Sequence, residues 1–413
     1  AMSGGILKGS TCATSFIQAH SKLLRSVGTS QTASTFSRGS ARFTQIGPSG
    51  LWTCQMSDDT PPGNLVRIGF APAGTSRMRC NAATMMESGP DTWTYDSGEM
   101  NIIFHYPAGP MLSERLSGLD AQGLQVSVCP ESDDSRFAEL LPDCDVIWHL
   151  LAPIDAATIE AAPKLRLIQK IGVGVNTIDL DAAQRRGISV CNMPGTNSRA
   201  VAEMTLFLIL GALRCGSQLD AAVRAGRGWD LPAVVQDRCG EVRGRTIGLV
   251  GYGAVPRLLA PILVVMGARV LYSSRRPQLD AVGVRCPLDA LLAESDVVSL
   301  HLPLTSETRC LIDASAIDRM RRGAIIINTA RGALIDESAL LEALRTGRIR
   351  AAGLDVFATE PISPDSPLLA LDNVVVSPHV AWLTSETMER SVTVAAENCR
   401  RLDAGETLLH RVV

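Results

Sequence analysis

Between Asn101 and Ser377 the chain returns again and again to short apolar runs separated by stretches of helical spacing. No other feature limits the possible folds as tightly. The runs are Ile102-Ile-Phe-His-Tyr106, Leu124-Gln-Val-Ser-Val128, Asp145-Val-Ile-Trp-His149, Leu165-Arg-Leu-Ile-Gln169, Thr246-Ile-Gly-Leu-Val250, Arg269-Val-Leu-Tyr272, Val297-Val-Ser-Leu300, Ala324-Ile-Ile-Ile-Asn328, Ala351-Ala-Gly-Leu-Asp355 and Val374-Val-Val-Ser377. A strand that is apolar along its whole length must be covered on both faces, which is the condition of a parallel sheet flanked by helices. Helical stretches such as Asp134–Leu141 and Asp155–Ala161 supply that cover, so the pattern reads as repeated βαβ units. The runs are too many for one simple doubly wound sheet. With 413 residues, at about 150 per domain, two α/β domains with doubly wound parallel sheets are the expectation.

Composition narrows the function. Hydrophobic residues make up 46% and charged residues 20% of the chain, enough apolar mass for real cores. A net charge of −3 offers no basic excess to draw the chain to nucleic acid or an anionic membrane, and 4% aromatic residues leave little for base stacking. The longest apolar run, Thr205-Leu-Phe-Leu-Ile-Leu-Gly-Ala-Leu213, falls short of the roughly 18 residues that a spanning helix needs. The 11 cysteines form no C-x-x-C pair and have no histidine cluster nearby. They read as reduced thiols, and no metal site is expected.

The first 57 residues contain no Asp or Glu but carry Lys8, Lys22, Arg25, Arg38 and Arg42. Within them Phe16, Leu23, Leu24 and Val27 share one helical face beside Lys22 and Arg25. An acid-free, Ser-rich, amphipathic stretch matches an organelle transit peptide, and a disordered extension is the alternative. The expected location is accordingly cytoplasmic, or mitochondrial or another organelle if this stretch is a targeting signal. Residues 58–98 are polar and rich in Pro and Gly, with one expected strand at Leu65–Phe70.

Two glycine loops follow strands. Gly251-Tyr-Gly253-Ala-Val-Pro256 comes after Ile247–Val250 and opens a helix through Arg257. That is the context of a dinucleotide site, where glycines let backbone approach a pyrophosphate seated on the helix N-terminus. Pro256 replaces the third glycine, and proline is tolerated in a helix's first turn. About 20 residues on, an acidic residue would hold the ribose hydroxyls of NAD. Here the strand is followed by Ser273-Ser274-Arg275-Arg276. With no carboxylate to repel a phosphate, and two hydroxyls and two guanidiniums to hold one, NADP(H) is favoured and NAD(H) is second choice. An ordinary solvated arginine pair is the other reading. The second loop, Gly172-Val-Gly174, lacks the rest of the fingerprint and reads as a backbone anion nest.

Taken together, Lys170-Ile-Gly-Val-Gly-Val-Asn-Thr-Ile-Asp179, Gly248-Leu-Val-Gly-Tyr-Gly253, His301-Leu-Pro-Leu304, Asn328-Thr-Ala-Arg-Gly-Ala-Leu-Ile-Asp336, Gly353-Leu-Asp-Val-Phe357 with Glu360-Pro361, and Ser377-Pro-His379 resemble the D-isomer-specific 2-hydroxyacid dehydrogenases. The match runs in family order from about residue 100 to 400. It implies two Rossmann-like domains with the active site in the cleft between them. A substrate domain would span 99–197 and be completed by 384–413, a dinucleotide domain would span 198–383, and residues 1–98 would be an extension. It also implies a homodimer, with the long helix after Ala200 at the interface.

The resemblance carries roles onto particular residues. His379 would be the general acid/base, suited to it by an imidazole pKa near working pH. Glu360 would pair with His379 and favour its protonated form. Arg331 would bind the substrate carboxylate and keto oxygen through its planar fork. Backbone amides of Val173 and Gly174 would hold the substrate carboxylate. Thr205, Gly251, Gly253, Ala254, Val255, Ser273, Ser274, Arg275, Arg276, Pro303, Ala330 and Asp355 would contact the cofactor, Asp355 equally serving as a buried capping carboxylate. Trp382 would either narrow the pocket or pack on the C-terminal helix.

The implied activity is NADP(H)-dependent reduction of a small 2-ketoacid, of the glyoxylate or hydroxypyruvate type, to the D-2-hydroxyacid. The Tyr-Ser-Ser-Arg-Arg segment is similar to that of NADPH-using reductases of those substrates. Phosphite oxidation is an alternative; formate oxidation fits less well, since those enzymes carry Gln where this chain has Glu360. A dinucleotide-binding corepressor of the C-terminal-binding-protein type is the alternative outside enzymology.

Overall fold

The computed structural model describes residues 99–413 throughout and, before them, the backbone of four strands. These are β1 (Thr35–Arg38), β2 (Ala41–Ile46), β3 (Leu51–Met56) and β4 (Val66–Gly69), joined as an antiparallel meander in chain order. The strand expected at Leu65–Phe70 coincides with β4. The first three strands were not anticipated from a stretch whose charge pattern suggested a leader. The amphipathic segment Phe16–Val27 lies outside the described residues.

From Thr94 onward the chain forms one compact unit containing two parallel sheets. The first comprises β5 (Met100–His105), β6 (Leu124–Cys129), β7 (Val146–His149), β8 (Leu167–Lys170) and β9 (Ser189–Cys191), in the order β6-β5-β7-β8-β9. Every residue of β7 and β8 is buried, as apolar runs covered on both faces must be. One face is covered by the last helix, Ser385–Asp403, whose Met388, Val392, Ala395 and Cys399 pack with Ile102, Phe104 and Trp148. The register is fixed by polar contacts too: Asn398 Nδ2 donates to Gln169 Oε1 at 2.6 Å, and Leu409 N donates to Asn398 Oδ1 at 2.7 Å. The C-terminal helix therefore belongs structurally with the first sheet, although nearly two hundred residues of the second intervene.

The second sheet comprises β10 (Thr246–Val250), β11 (Arg269–Ser273), β12 (Val284–Arg285), β13 (Val297–Leu300), β14 (Ala324–Asn328), β15 (Ile349–Leu354) and β16 (Val374–Val376). Their order is β12-β11-β10-β13-β14-β15-β16, all parallel. Ile325, Ile326 and Ile327 in β14 are each 0% exposed, a burial that stabilises by about 1.5–3 kcal/mol per side chain. The helix Ser198–Leu213 carries the longest apolar run and lies against β14 and β15. It approaches so closely that a Cβ on Gly353 would fall 2.8 Å from Leu208 Cβ. No single described helix is long and apolar enough to cross a membrane.

The strand order turns back between β10 and β13, which are neighbours in space but separated by β11 and β12 in sequence. Ligands of doubly wound sheets bind outside the carboxyl ends of the strands at such a switch point. Gly251 and His301 stand at those two ends.

Candidate active site

The switch point opens into a cavity of about 890 Å³. Gly253, Ala254, Val255, Pro303, Ala330 and Arg331 line it from the second sheet; Val173, Gly174, Val175 and Asn176 line it from the first. The site is thus the crevice between the two sheets, walled on one side by each glycine loop.

The two glycines of Gly251-Tyr-Gly253 do different work. Gly251 has φ +95°, and a Cβ there would lie 2.4 Å from the His301 carbonyl oxygen, so only glycine allows the strand to turn here. Gly253 faces open space, with nothing within 4 Å of where its Cβ would stand. It precedes the helix Ala254–Val265, whose N-terminus has no side-chain cap. Free amides, a helix dipole and an open backbone together form a cradle for a phosphate. Pro256 occupies the third helical position, inside the first turn. The residues present therefore fit a dinucleotide.

Other cofactor candidates lie around or behind this cradle. Ser273 closes β11, and its carbonyl accepts from Gly251 N at 2.8 Å. The Ser274 hydroxyl donates to the Arg276 carbonyl at 2.7 Å, leaving Arg275 and Arg276 exposed. Arg285 braces the same loop, donating to the Ser274 carbonyl at 3.0 Å. Thr205 does not line the cavity: it is 0% exposed and meets Thr329 Oγ1 at 2.9 Å, so it backs a residue that does. His301, hydrogen-bonded to Ser299 Oγ at 2.9 Å, is held neutral because burial pushes its imidazole down to about 3.

Three loops bring the catalytic candidates together. His379 Nδ1 donates to Glu360 Oε2 at 2.6 Å, and Glu360 Oε1 accepts from Phe357 N at 2.9 Å. Burial acts to raise the Glu360 carboxyl, but the hydrogen bond and charge of His379 outweigh it and hold the group below the usual carboxylate range. His379 has φ 55°, an unusual conformation for a side chain of this size. Asp355 enforces it. The Asp355 backbone carbonyl accepts from His379 N at 2.7 Å. Its carboxylate accepts from Ser377 Oγ at 2.6 Å, Val380 N at 2.9 Å and Ala381 N at 3.0 Å. Asp355 is 0% exposed, and burial raises its carboxyl despite those bonds. Trp382 completes the turn: its indole N–H donates to the His379 carbonyl at 2.8 Å, and its ring is buried among side chains of the first core and the C-terminal helix.

Arg331 extends across the crevice. Its Nη1 donates to the Ala330 carbonyl at 2.6 Å, and its Nε reaches Asn176 Oδ1 on the opposite wall at 3.4 Å. Burial lowers its pKa, opposed by the nearby charge of Glu360. Asn328 shapes its loop, donating from Nδ2 to the Arg331 carbonyl at 2.8 Å and accepting from Ala330 N at 3.0 Å. Gly332 is required because a Cβ there would lie 1.8 Å from the Phe357 carbonyl carbon. Gly174 is required for Arg331 itself: a Cβ at Gly174 would stand 1.8 Å from Arg331 Nη2.

Asn176 and Asn328 were not apparent from sequence reasoning, whereas the buried capping carboxylate was one of the two roles expected of Asp355. Asn328 ends β14 as a polar residue, a signal that was available; Asn176 is recognisable only through its distant partner.

Comparison with known proteins identifies the family. The family model described as D-isomer specific 2-hydroxyacid dehydrogenase, NAD binding domain, matches residues 206–381. A glyoxylate reductase of Korarchaeum cryptofilum is 43% identical over 274 residues, covering 65% of this chain and 82% of that protein. A D-3-phosphoglycerate dehydrogenase of Mycobacterium leprae is 41% identical over 282 residues, covering 66% of this chain but 52% of that protein. Among solved structures, a glyoxylate reductase from Paecilomyes thermophila superposes with a TM-score of 0.64 at 30% identity, covering 76% of this chain and 98% of that one. The chain belongs to the D-isomer specific 2-hydroxyacid dehydrogenase family, and so to the oxidoreductases that work with a nicotinamide dinucleotide.

Proposed function

We propose that this enzyme reduces a small 2-ketoacid of the glyoxylate or hydroxypyruvate type to the D-2-hydroxyacid, using NADPH. Residues 198–383 are the dinucleotide domain; residues 99–197 with 384–413 are the substrate domain. The bound nicotinamide supplies the hydride. Arg331 and the amides of Val173 and Gly174 hold the substrate carboxylate, with Arg331 also polarising the keto oxygen. His379 delivers the proton to that oxygen, and Glu360 keeps the imidazole oriented. The observation carrying this reading is the His379–Glu360 contact at 2.6 Å, with Arg331 reaching across the crevice beside it. The names of the relatives that reduce glyoxylate support the substrate class.

The preference for NADPH rests on Ser273, Ser274, Arg275 and Arg276, a loop with two exposed guanidiniums where a ribose-binding carboxylate would otherwise stand. A homodimer is the expected assembly. Phe207, Val223, Trp229 and Val234 are apolar and exposed within the segment 198–238, and burying them against a second copy would remove that surface from water.

The test is loss of reduced-nicotinamide absorbance with NADPH and NADH separately, against glyoxylate, hydroxypyruvate, pyruvate and phenylpyruvate. Faster turnover with NADPH on the smaller acids is the expected result. Nucleotide binding without turnover on any 2-ketoacid would refute the reading and direct attention to phosphite oxidation or a recruiting role.

A further inference from the structure

Lys170 ends β8 in a setting unusual for a lysine. It is 7% exposed, and its Nζ donates to the Leu150 carbonyl rather than to a carboxylate. Among the described residues it makes no ion pair. Lysines are rarely this deeply buried unless paired. Its Cε lies 3.6 Å from where a Cβ on Gly172 would stand, while Arg331 presses on Gly174. Two cations, one from each domain, therefore flank the single loop Gly172-Val-Gly174.

We propose that Lys170 is a second anion-recognition residue of this crevice, acting with Arg331 on a carboxylate seated against the Gly172–Gly174 loop. The inference rests on the reading of that loop as the substrate carboxylate's seat, given above.

The neighbouring groups leave this role to Lys170. His149, at the end of β7, contacts Thr177 Oγ1 through Nε2 at 2.9 Å, and burial together with Lys170 and His105 keeps it neutral. His105, on β5, is stacked on Phe137 at 3.9 Å and is likewise pushed down by burial. Glu131, after β6, is occupied by Leu151 N at 2.7 Å and Ala152 N at 2.6 Å. Tyr106 is held in its phenol form by burial. Burial, then the charge of Arg331, lowers Lys170 to about 7, with Glu131 opposing.

A carboxylate arriving between the two cations offsets both effects. Lys170 then takes up a proton as the anion binds. The sign follows directly. Below pH 7 the amine is already charged and anion affinity is flat. Above pH 7 affinity weakens by up to about tenfold per pH unit, the limit for one linked proton.

His379 is a second candidate for proton uptake, so the test separates the two. The probe is oxamate, an unreactive 2-ketoacid isostere, titrated calorimetrically into the NADPH-saturated enzyme at pH 8 in buffers of different ionisation enthalpy. Proton uptake is expected in the wild type and in His379→Asn. It is expected to vanish in His379→Asn/Lys170→Gln. In the His379→Asn background, Lys170→Arg, which cannot lose its charge, is expected to bind oxamate without uptake and with no rise in Kd between pH 7 and 9. Uptake that disappears with His379→Asn alone, or survives in the double variant, overturns the proposal. A wild-type enzyme that neither turns over a 2-ketoacid nor binds oxamate overturns the reading of the site and this inference with it.

Discussion

Gly174→Ala probes the catalytic geometry most sharply, because the structure separates its effect on activity from its effect on folding. A Cβ at this position would stand 1.8 Å from Arg331 Nη2, 3.0 Å from Cζ and 3.1 Å from Asn176 Oδ1. Ordinary contact begins at 3.4 Å, so the guanidinium must retreat by about 1.5 Å. Gly174 is not among the glycines with positive φ, so alanine meets no left-handed backbone strain there. The displaced atoms are the far end of a flexible side chain on the rim of a cavity, so the core is untouched. The cost falls on orientation: a misplacement of about 1 Å lowers rates by about 10²-fold. We expect kcat/KM for the 2-ketoacid to fall by about 10²-fold. The dissociation constant for the nucleotide and the Tm should stay near wild type. The assay is steady-state kinetics beside nucleotide titration and a thermal melt on the same preparation. Wild-type kcat/KM in a folded Gly174→Ala enzyme would refute the argument that Arg331 must occupy its observed place.

Four further outcomes are expected. His379→Ala should lower kcat by about 10²–10⁴-fold while leaving nucleotide affinity intact; surviving turnover would assign the proton to another group. Glu360→Gln should lower kcat too and also change acid stability. Because the folded Glu360 carboxyl sits below its ordinary value, its stabilising contribution is complete above the unfolded pKa and is lost as pH falls through the folded one. Any Tm advantage of wild type over Glu360→Gln should therefore shrink toward pH 3, and a constant difference would count against the pairing. Asp355→Ala strands the Ser377 hydroxyl and the amides of Val380 and Ala381, and should destabilise by about 3–5 kcal/mol in denaturant unfolding. Ser273→Asp with Arg275→Ala should move the kcat/KM ratio toward NADH; an unchanged ratio would remove the phosphate-clamp assignment.

What the sequence discloses about this fold follows from how each element is stabilised. Strands β7, β8, β10 and β14 are buried along their whole length, so each stands out as an apolar run that no helix period explains. β9 and β12 did not. They are three and two residues long, and β12 is an exposed edge strand, so neither has enough residues to display a period. The early meander was hidden differently: an acid-free, Ser-rich composition drew attention to charge rather than to the alternation in Ala41–Ile46 and Leu51–Met56.

The site divides along the same line. Gly251 and Gly253 were legible because strand, turn and helix are contiguous, and a local motif carries its own context. Gly174 was read only as part of an anion nest, because the atom that excludes any other residue belongs to Arg331, whose contact with neighbouring Asn176 spans 155 residues of sequence. Asp355 remained undecided between cofactor contact and capping for a related reason. Its three donors all come from the loop that carries His379, and only the folded chain brings that loop to the end of β15. Lys170 is the extreme case. In sequence it is the polar residue that ends an apolar run, which ordinarily marks where a strand reaches solvent. Here the residue is buried instead, its Nζ bonded to the Leu150 carbonyl and within reach of the charge of Arg331. A residue's charge can be read from the chain, but whether water or another charge faces it is decided by segments distant in sequence. A crevice between two sheets is where that difference is largest.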